Sequence, residues 1–145
     1  ELHLFGSYND YIDIELLSEE MIIKIQERAP LVVTEYKEKL NNRIEELLDT
    51  DCNVDEERIN YEVVFFADKS DINEEIVRLK SHIKQFLRSL EEKEPVGRKL
   101  DFLIQEMNRE INTIGSKAND LIISNNVVDI KSELEKIREQ VQNVE

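Results

Sequence analysis

The sequence predicts an all-α fold, with long coiled-coil-like helices arranged as an antiparallel hairpin or bundle. Three stretches in the second half space their apolar residues in alternating steps of three and four, which is the pattern of a helix with one buried face. No segment alternates apolar and polar residues as a half-buried strand does, and the 3 glycines and 2 prolines provide too few turns for a β-sandwich or barrel. The 145 residues suit one domain, or one domain with a small appendage.

The first half of the chain predicts its helices less clearly. Residues 1–17 are compatible with a helix or a short extended piece. We expect a helix from Ser18 toward Ala29, where Pro30 either interrupts it or starts the next one. A 3.6-residue period then covers residues 31–48 and ends in a polar stretch. After that stretch, Asp55 is a suitable cap for a further helix.

The second half predicts three consecutive helices. Asp71 and Glu74 have the capping-box spacing, with Asp in place of the usual Ser or Thr, and residues 91–97 form a turn. We expect a second break at residues 124–126, where Ser-Asn-Asn interrupts the apolar pattern. The apolar stripes of the three helices begin Ile72, Ile76, Leu79, Ile83; then Leu100, Ile104, Met107, Ile111; and then Val127, Ile130, Leu134, Ile137.

Composition excludes several classes of protein. There is no run of about 18 apolar residues to span a membrane, and the single cysteine, Cys52, excludes a disulfide framework. The chain carries 33 acidic and 19 basic residues, a net charge of -14, which argues weakly against nucleic-acid binding by the molecule as a whole. A local basic strip can still hold phosphates, and its members are Arg78, Lys80, Lys84 and Arg88.

The long central helix has an unusual polar face, rich in residues that form helices poorly. The face contains Arg98, Asp101, Gln105, Asn108, Arg109, Asn112, Ser116 and Asn119, and Gly115 lies beside it. Something other than helix stability therefore selects these residues. Two interpretations remain open: a polar interface with a neighbouring helix or subunit, or a surface that binds ribose, phosphate or a hydrated cation.

Catalytic motifs are weak when judged by spacing alone. There is no His-x-x-x-His pair, glycine-rich phosphate loop or recognisable Ser-His-Asp order. A structural or solvated role is the default for His82, and a solvated or salt-bridged role is the default for each carboxylate. The carboxylates that could converge on a magnesium or manganese ion are Asp101, Glu106, Glu110, Glu74 and Glu75.

Three segments carry a resemblance to a known family. Residues 97–120 (GRKLDFLIQEMNREINTIGSKAND) closely resemble the C-terminal signature of the YicC/YloC family, and so do residues 133–145 (ELEKIREQVQNVE). Residues 71–82 are similar to the helix that precedes this signature. The resemblance is specific over about residues 55–145, looser over 22–48, and absent from 1–20. It implies an N-terminal helical segment, 1–53, and a C-terminal helical domain, 54–145.

The resemblance implies a function. Family members are bacterial cytoplasmic proteins, described as stress-induced, and regarded as endoribonucleases that use a divalent cation and form ring-like hexamers. They are longer than this chain, which resembles their helical C-terminal half. We therefore expect RNA as the partner, magnesium or manganese as the cofactor, a homo-oligomer, and neither membrane nor DNA binding. The alternatives are a non-catalytic RNA-binding or oligomerisation scaffold and a purely structural coiled-coil partner.

The resemblance also implies residue roles. His82, Asp101, Glu106 and Glu110 are the candidate catalytic residues, with His82 as an acid, a base or a phosphate contact and the three carboxylates as metal ligands. Asp101 is separated from the two glutamates by most of the helix circumference, so either the site is shared between subunits or one assignment is wrong. The expected nucleic-acid contacts are Arg78, Lys80, Lys84, Arg88, Arg98, Arg109, Asn112 and Lys117.

Overall fold

The computed structural model describes residues 20–48, 54–92 and 97–142, and within these ranges it contains helices and no strand. The predicted all-α fold is confirmed. The expectations for residues 1–19 and for Cys52 lie outside the described residues. The five described helices are α1 (Ile22–Leu47), α2 (Glu56–Lys69), α3 (Asn73–Leu90), α4 (Gly97–Ala118) and α5 (Leu121–Gln142).

The core lies between α3, α4 and α5, which pack side by side as an antiparallel bundle. Each helix turns one apolar stripe inward, and Phe86, Leu100, Ile104, Ile111 and Ile114 are fully buried. The first half of α1 adds Ile22, Ile25 and Val32 to the same core. The heptad-like stripes of the sequence therefore become one continuous apolar interior. The predicted division at residues 53 and 54 stays a prediction.

Helix α1 passes through Pro30 without a break, so the expected interruption or new start at this residue is wrong. Proline removes one backbone hydrogen bond from a helix, and the carbonyl left free belongs to the residue four positions earlier, Gln26. Both Pro30 and Gln26 are exposed, so water can satisfy that carbonyl. The apolar residues on both sides of Pro30 hold the two halves on the same core.

The predicted break at residues 124–126 is also wrong, because α5 is continuous from Leu121. The chain reverses earlier, at Asn119 and Asp120. Asn119 adopts a φ of 46°, the left-handed conformation that Asn tolerates at a helix end. Asp120 then caps α5, since its carboxylate accepts a hydrogen bond from the backbone N–H of Ile123 at 3.1 Å. Within α5, the Asn126 side chain donates to the Ile122 carbonyl at 2.9 Å.

The second half of α1 (residues 33–47) and α2 form a two-helix arm. Tyr36 of α1 stacks on Phe66 of α2, with ring centroids 3.8 Å apart and planes 5° from parallel. Asp55 caps α2 by accepting a hydrogen bond from the Glu57 N–H at 3.1 Å, as expected. No residue of α2 is buried. The arm therefore has one line of apolar contacts between its two helices and little further support from the core.

A charged clamp attaches α1 to the turn between α4 and α5. The Arg28 guanidinium donates to both oxygens of Asp120, at 3.0 and 2.9 Å, and to both oxygens of Glu35, at 2.8 and 2.6 Å. The hydrogen bonds from Arg28 lower the pKa of Asp120, against the opposing effect of burial. They also lower the pKa of Glu35. One arginine therefore joins α1 to the cap of α5.

We expect Asp120→Ala to lower the free energy of unfolding by about 2 kcal/mol near neutral pH, because it removes both a helix cap and a charged hydrogen-bond partner. A carboxylate whose pKa is lower in the folded state stabilises the protein above its ordinary pKa, and this stabilisation is lost as pH falls through the folded value. The wild type should therefore lose more stability on acidification than Asp120→Ala.

Chemical denaturation at several pH values measures this difference. Asp129→Ala is the matched control, since Asp129 is exposed on α5, the helix that Asp120 caps. Equal pH dependence in the wild type and Asp120→Ala would show that the clamp contributes nothing.

Gly115 allows α4 and α5 to approach closely. A Cβ atom at this position would lie 3.3 Å from Cγ1 of Val127. We expect Gly115→Val to lower the free energy of unfolding by about 1–3 kcal/mol more than Ser116→Val, because only the first substitution places a branched side chain against α5. Ser116 is exposed one residue away, and replacing Ser with Val changes helix propensity little. Replacing Gly with Val improves helix propensity, so a loss of stability at Gly115 would come from crowding. Urea denaturation of both variants provides the comparison, and equal stability would contradict the proposed crowding.

Candidate functional site

Two ion pairs connect α3 and α4 along a charged seam that consists of Glu75, Arg78, Glu110 and Lys117. The Lys117 ammonium donates to Oε1 of Glu75 at 2.7 Å, and Nε of Arg78 donates to Oε1 of Glu110 at 2.9 Å. Arg78 also lies 3.6 Å from Glu75. Glu75 and Arg78 are three residues apart on α3, and Glu110 and Lys117 are seven apart on α4, so each pair shares one helix face.

The carboxylates of the charged seam are buried and its cations are not. Glu75 is 2% exposed and Glu110 is 6% exposed, whereas Arg78 and Lys117 reach solvent. Burial alone would raise the pKa of Glu75, but the hydrogen bond from Lys117 and the charge of Arg78 outweigh it, so the net shift is downward. The second oxygen of Glu75, Oε2, is buried and accepts no hydrogen bond from the described residues. A charged carboxylate is thus held inside the α3–α4 interface.

His82 extends the same stripe of α3 by one turn beyond Arg78. It is half-buried, and its Nδ1 is buried with no hydrogen-bond partner in the described part of the chain. The antiparallel register that pairs Arg78 with Glu110 places His82 opposite the preceding turn of α4, which carries Glu106. The α3–α4 interface therefore brings three of the four candidate catalytic residues to one side of α4.

Asp101 lies on the other side of α4, toward α5. Its carboxylate accepts a hydrogen bond from the Gln105 side chain at 3.1 Å. Among residues 20–48, 54–92 and 97–142, no three His, Cys, Asp or Glu side chains are placed to hold a metal ion. Asp101, Glu106 and Glu110 therefore do not fit a three-ligand site within one chain.

The four residues of the predicted basic strip are not a single surface. Arg78 turns toward α4, whereas Lys80 donates a hydrogen bond to Oε1 of Gln26 on α1 at 2.8 Å. Lys84 and Arg88 follow Lys80 at intervals of four residues, so they lie on its flank of α3. The carboxylates of the charged seam already occupy Arg78 and Lys117, which leaves the remaining expected phosphate contacts on other surfaces.

The polar face of α4 points away from the core. Arg98, Arg109 and Asn112 are exposed, and Asn108 is half-buried. An open depression of about 580 Å³ lies between α4 and α5 on this side. Its lining residues are Gln105, Asn108, Arg109, Asn112, Thr113 and Arg138.

The sequence gives little indication of the places of two residues on these surfaces, Glu75 and Arg138. Glu75 was one of several possible carboxylates, and its only local signal is a position next to the apolar stripe of α3. Arg138 belongs to a charged helix face of ordinary appearance, where it pairs with Glu135 at 3.2 Å. Its place beside the polar face of α4 depends on how α5 packs, which no local pattern indicates.

None of the helices in the described ranges has the length and apolar character of a membrane span.

Comparison with known proteins identifies the family to which the chain belongs. The family described as "Endoribonuclease YicC-like, C-terminal" matches residues 25–145. A protein of Clostridioides difficile named "Probable endoribonuclease YicC" is 58% identical over 124 residues, which are 86% of this chain and 42% of that protein.

A protein of Haemophilus influenzae with the same name is 38% identical over 122 residues, covering 84% of this chain and 42% of that protein. The chain thus spans less than half the length of both relatives. The family match covers most of the chain, including the charged seam and the polar face of α4. The chain belongs to the YicC-like endoribonuclease family, and it corresponds to the C-terminal region of that family.

Proposed function

We propose that this chain is the helical part of an endoribonuclease, and that its α3–α4 interface contributes acid–base groups to the cleavage of RNA. Two relatives named as probable endoribonucleases support the activity, but this chain spans only 42% of each. The observation that carries the proposal is the position of His82 and Glu106, each one turn beyond the Arg78–Glu110 ion pair in the α3–α4 interface.

RNA cleavage needs one group to accept a proton from the attacking oxygen and another to protonate the leaving oxygen. His82 suits either role, because a neutral imidazole has one ring nitrogen that accepts a proton and one that donates a proton. Glu106 is half-buried and has no hydrogen-bond partner among the described side chains, so it is available as the second group. Glu110 is engaged by Arg78 and is better suited to positioning that guanidinium.

Phosphate groups would bind the cations that no carboxylate occupies. Arg98, Arg109, Lys84 and Arg88 have no ion pair within the described residues. Arg78 and Lys117 would bind phosphate only by releasing Glu110 and Glu75, so we assign them to holding the charged seam together. The expected contact Asn112 remains exposed next to Arg109 and available to ribose or phosphate.

Dependence on magnesium or manganese belongs to the proposal, but the described residues of one copy do not group the ligands. Asp101 lies on the opposite flank of α4 from Glu106 and Glu110, and no three-ligand group forms in the described residues. We therefore propose that a metal site takes ligands from a second copy or from residues beyond those that the structure describes. Assembly into a homo-oligomer is part of the same proposal.

A second candidate function is a non-catalytic scaffold that binds RNA or promotes oligomerisation. The apolar side chains on the outer side of α2 favour it, since Tyr61, Val64 and Phe65 are 71%, 58% and 49% exposed. A contiguous exposed apolar patch is typical of an interaction surface. A scaffold would bind RNA in a salt-sensitive way without cleaving it.

We expect His82→Asn and Glu106→Gln, made in the full-length protein, to reduce the RNA cleavage rate about 100-fold or more, because each removes a group that transfers a proton. Both side chains are partly exposed and make no ion pair, so the variants should keep the thermal midpoint of the wild type. Cleavage is measured on purified protein with added magnesium or manganese and with a chelator.

Glu139→Gln is the matched control, because Glu139 is an exposed glutamate on α5. Wild-type rates in both His82→Asn and Glu106→Gln would remove the site assignment. Salt-sensitive RNA binding without any turnover in the wild type would favour the scaffold. Turnover that the chelator does not reduce would contradict the metal dependence.

A further inference from the structure

We infer that the outer face of α4 binds single-stranded RNA, with Phe102 stacking on an unpaired base between phosphates held by Arg98 and Arg109. The outer face comprises Arg98, Phe102, Gln105, Arg109 and Asn112, all exposed. This inference rests on the proposed function and names the class of RNA that the chain would take.

Phe102 is exposed where the rest of α4 buries its apolar residues. Its side chain is 58% exposed, whereas every other large apolar residue of α4 is at most 3% exposed: Leu100, Leu103, Ile104, Met107, Ile111 and Ile114. Exposing an aromatic ring forgoes the stabilisation that its burial would provide. The core of α4 is complete without Phe102, so this residue has no packing role within the described chain.

The residues around Phe102 form a track for a nucleic-acid backbone. Arg98 lies four residues before Phe102, and Gln105 and Arg109 lie three and seven residues after it, so all four share one helix face. With a rise of 1.5 Å per residue, Arg98 and Arg109 are about 16 Å apart along the helix, and Phe102 lies between them. A single strand can span that distance with a few nucleotides.

Charge supports an anionic occupant. The chain has a net charge of -14, and some of its cations, such as Arg78 and Lys117, are held by its own carboxylates. Yet neither Arg98 nor Arg109 makes an ion pair or a side-chain hydrogen bond within the described residues. Arg138 of α5 lines the same depression as Arg109, but Glu135 already pairs with it. Asn108 and Asn112 line the same depression and offer amides to ribose and base edges.

An aromatic side chain on a convex helix surface selects unpaired bases. In a duplex the bases stack on one another and show no free face, whereas each base of a single strand can stack on an aromatic ring. Arginines on either side hold the backbone without reading sequence. The outer face should therefore prefer single-stranded RNA and show little preference among bases.

A protein partner fits this face less well. The residues three and four positions from Phe102 are Arg98, Lys99, Gln105 and Glu106, so the ring stands alone among polar and charged groups. Protein interfaces are instead depleted in lysine and glutamate, the residue types of Lys99 and Glu106. The outer side of α2 offers the contrast, because Tyr61, Val64 and Phe65 are neighbours there on one helix face.

A tryptophan at position 102 gives a direct test, since the chain contains no other tryptophan. We expect the fluorescence of Phe102→Trp in the full chain to be quenched by a short oligouridylate and not by duplex RNA of the same length, because only the single strand can stack on the indole. Leu47→Trp is the matched control. It places an exposed indole at the end of α1, and oligouridylate should leave its fluorescence unchanged.

Affinity measurements complete the test. We expect Phe102→Ala to bind oligouridylate about 10-fold more weakly than the wild type, and Phe102→Tyr to retain wild-type affinity, because the phenol ring still stacks. Circular dichroism should show unchanged folding, since the side chain lies outside the core. Light scattering of Phe102→Ala should give the wild-type molar mass.

Three outcomes would overturn the inference. Equal oligouridylate affinity in the wild type and Phe102→Ala would remove the stacking role of Phe102 and leave the proposed function intact. A change in molar mass without a change in RNA affinity would make Phe102 a protein contact. A wild-type chain that binds neither oligouridylate nor duplex RNA would contradict both the inference and the proposed RNA contacts.

Discussion

The antiparallel register between α3 and α4 is the constraint on which the rest of the structure depends. Apolar packing brings the two helices together, and the pairs Lys117–Glu75 and Arg78–Glu110 pin their relative position. A slip of one turn would leave two buried carboxylates without their cations, which is far more costly than losing an exposed ion pair. The same register sets what faces His82 and which side of α4 remains in contact with solvent.

The chain separates its charges according to their surroundings. Buried carboxylates take their cations from the neighbouring helix, as in the charged seam and in the clamp of Arg28 on Asp120. Cations without such partners remain on the outer face of α4 and the far flank of α3. A protein with a large negative charge can thereby keep local surfaces to which a phosphate backbone is attracted.

The helices with strong apolar periodicity could be predicted closely from the sequence, and the breaks between them less so. The stripes of α3 and α4 match the buried residues of the structure because both helices pack one face against a shared core. The cap at Asp55 needs only local contacts, and it was predicted correctly. The breaks predicted at Pro30 and at residues 124–126 are wrong. Both places lie inside continuous helices, because packing of the residues on either side outweighs the low local helix propensity.

The amino-acid sequence alone determined the helical class, the apolar stripes and the resemblance that led to the family, because periodicity and motif spacing are properties of neighbouring residues. Tertiary structure decided which charged groups meet. It divided the basic strip, since Arg78 faces α4 while Lys80 faces α1. It paired Glu110 with Arg78 and brought Arg138 beside Asn112. These relations depend on the packing of helices distant in sequence, and a single-helix pattern carries no information about its neighbour's rotation or register.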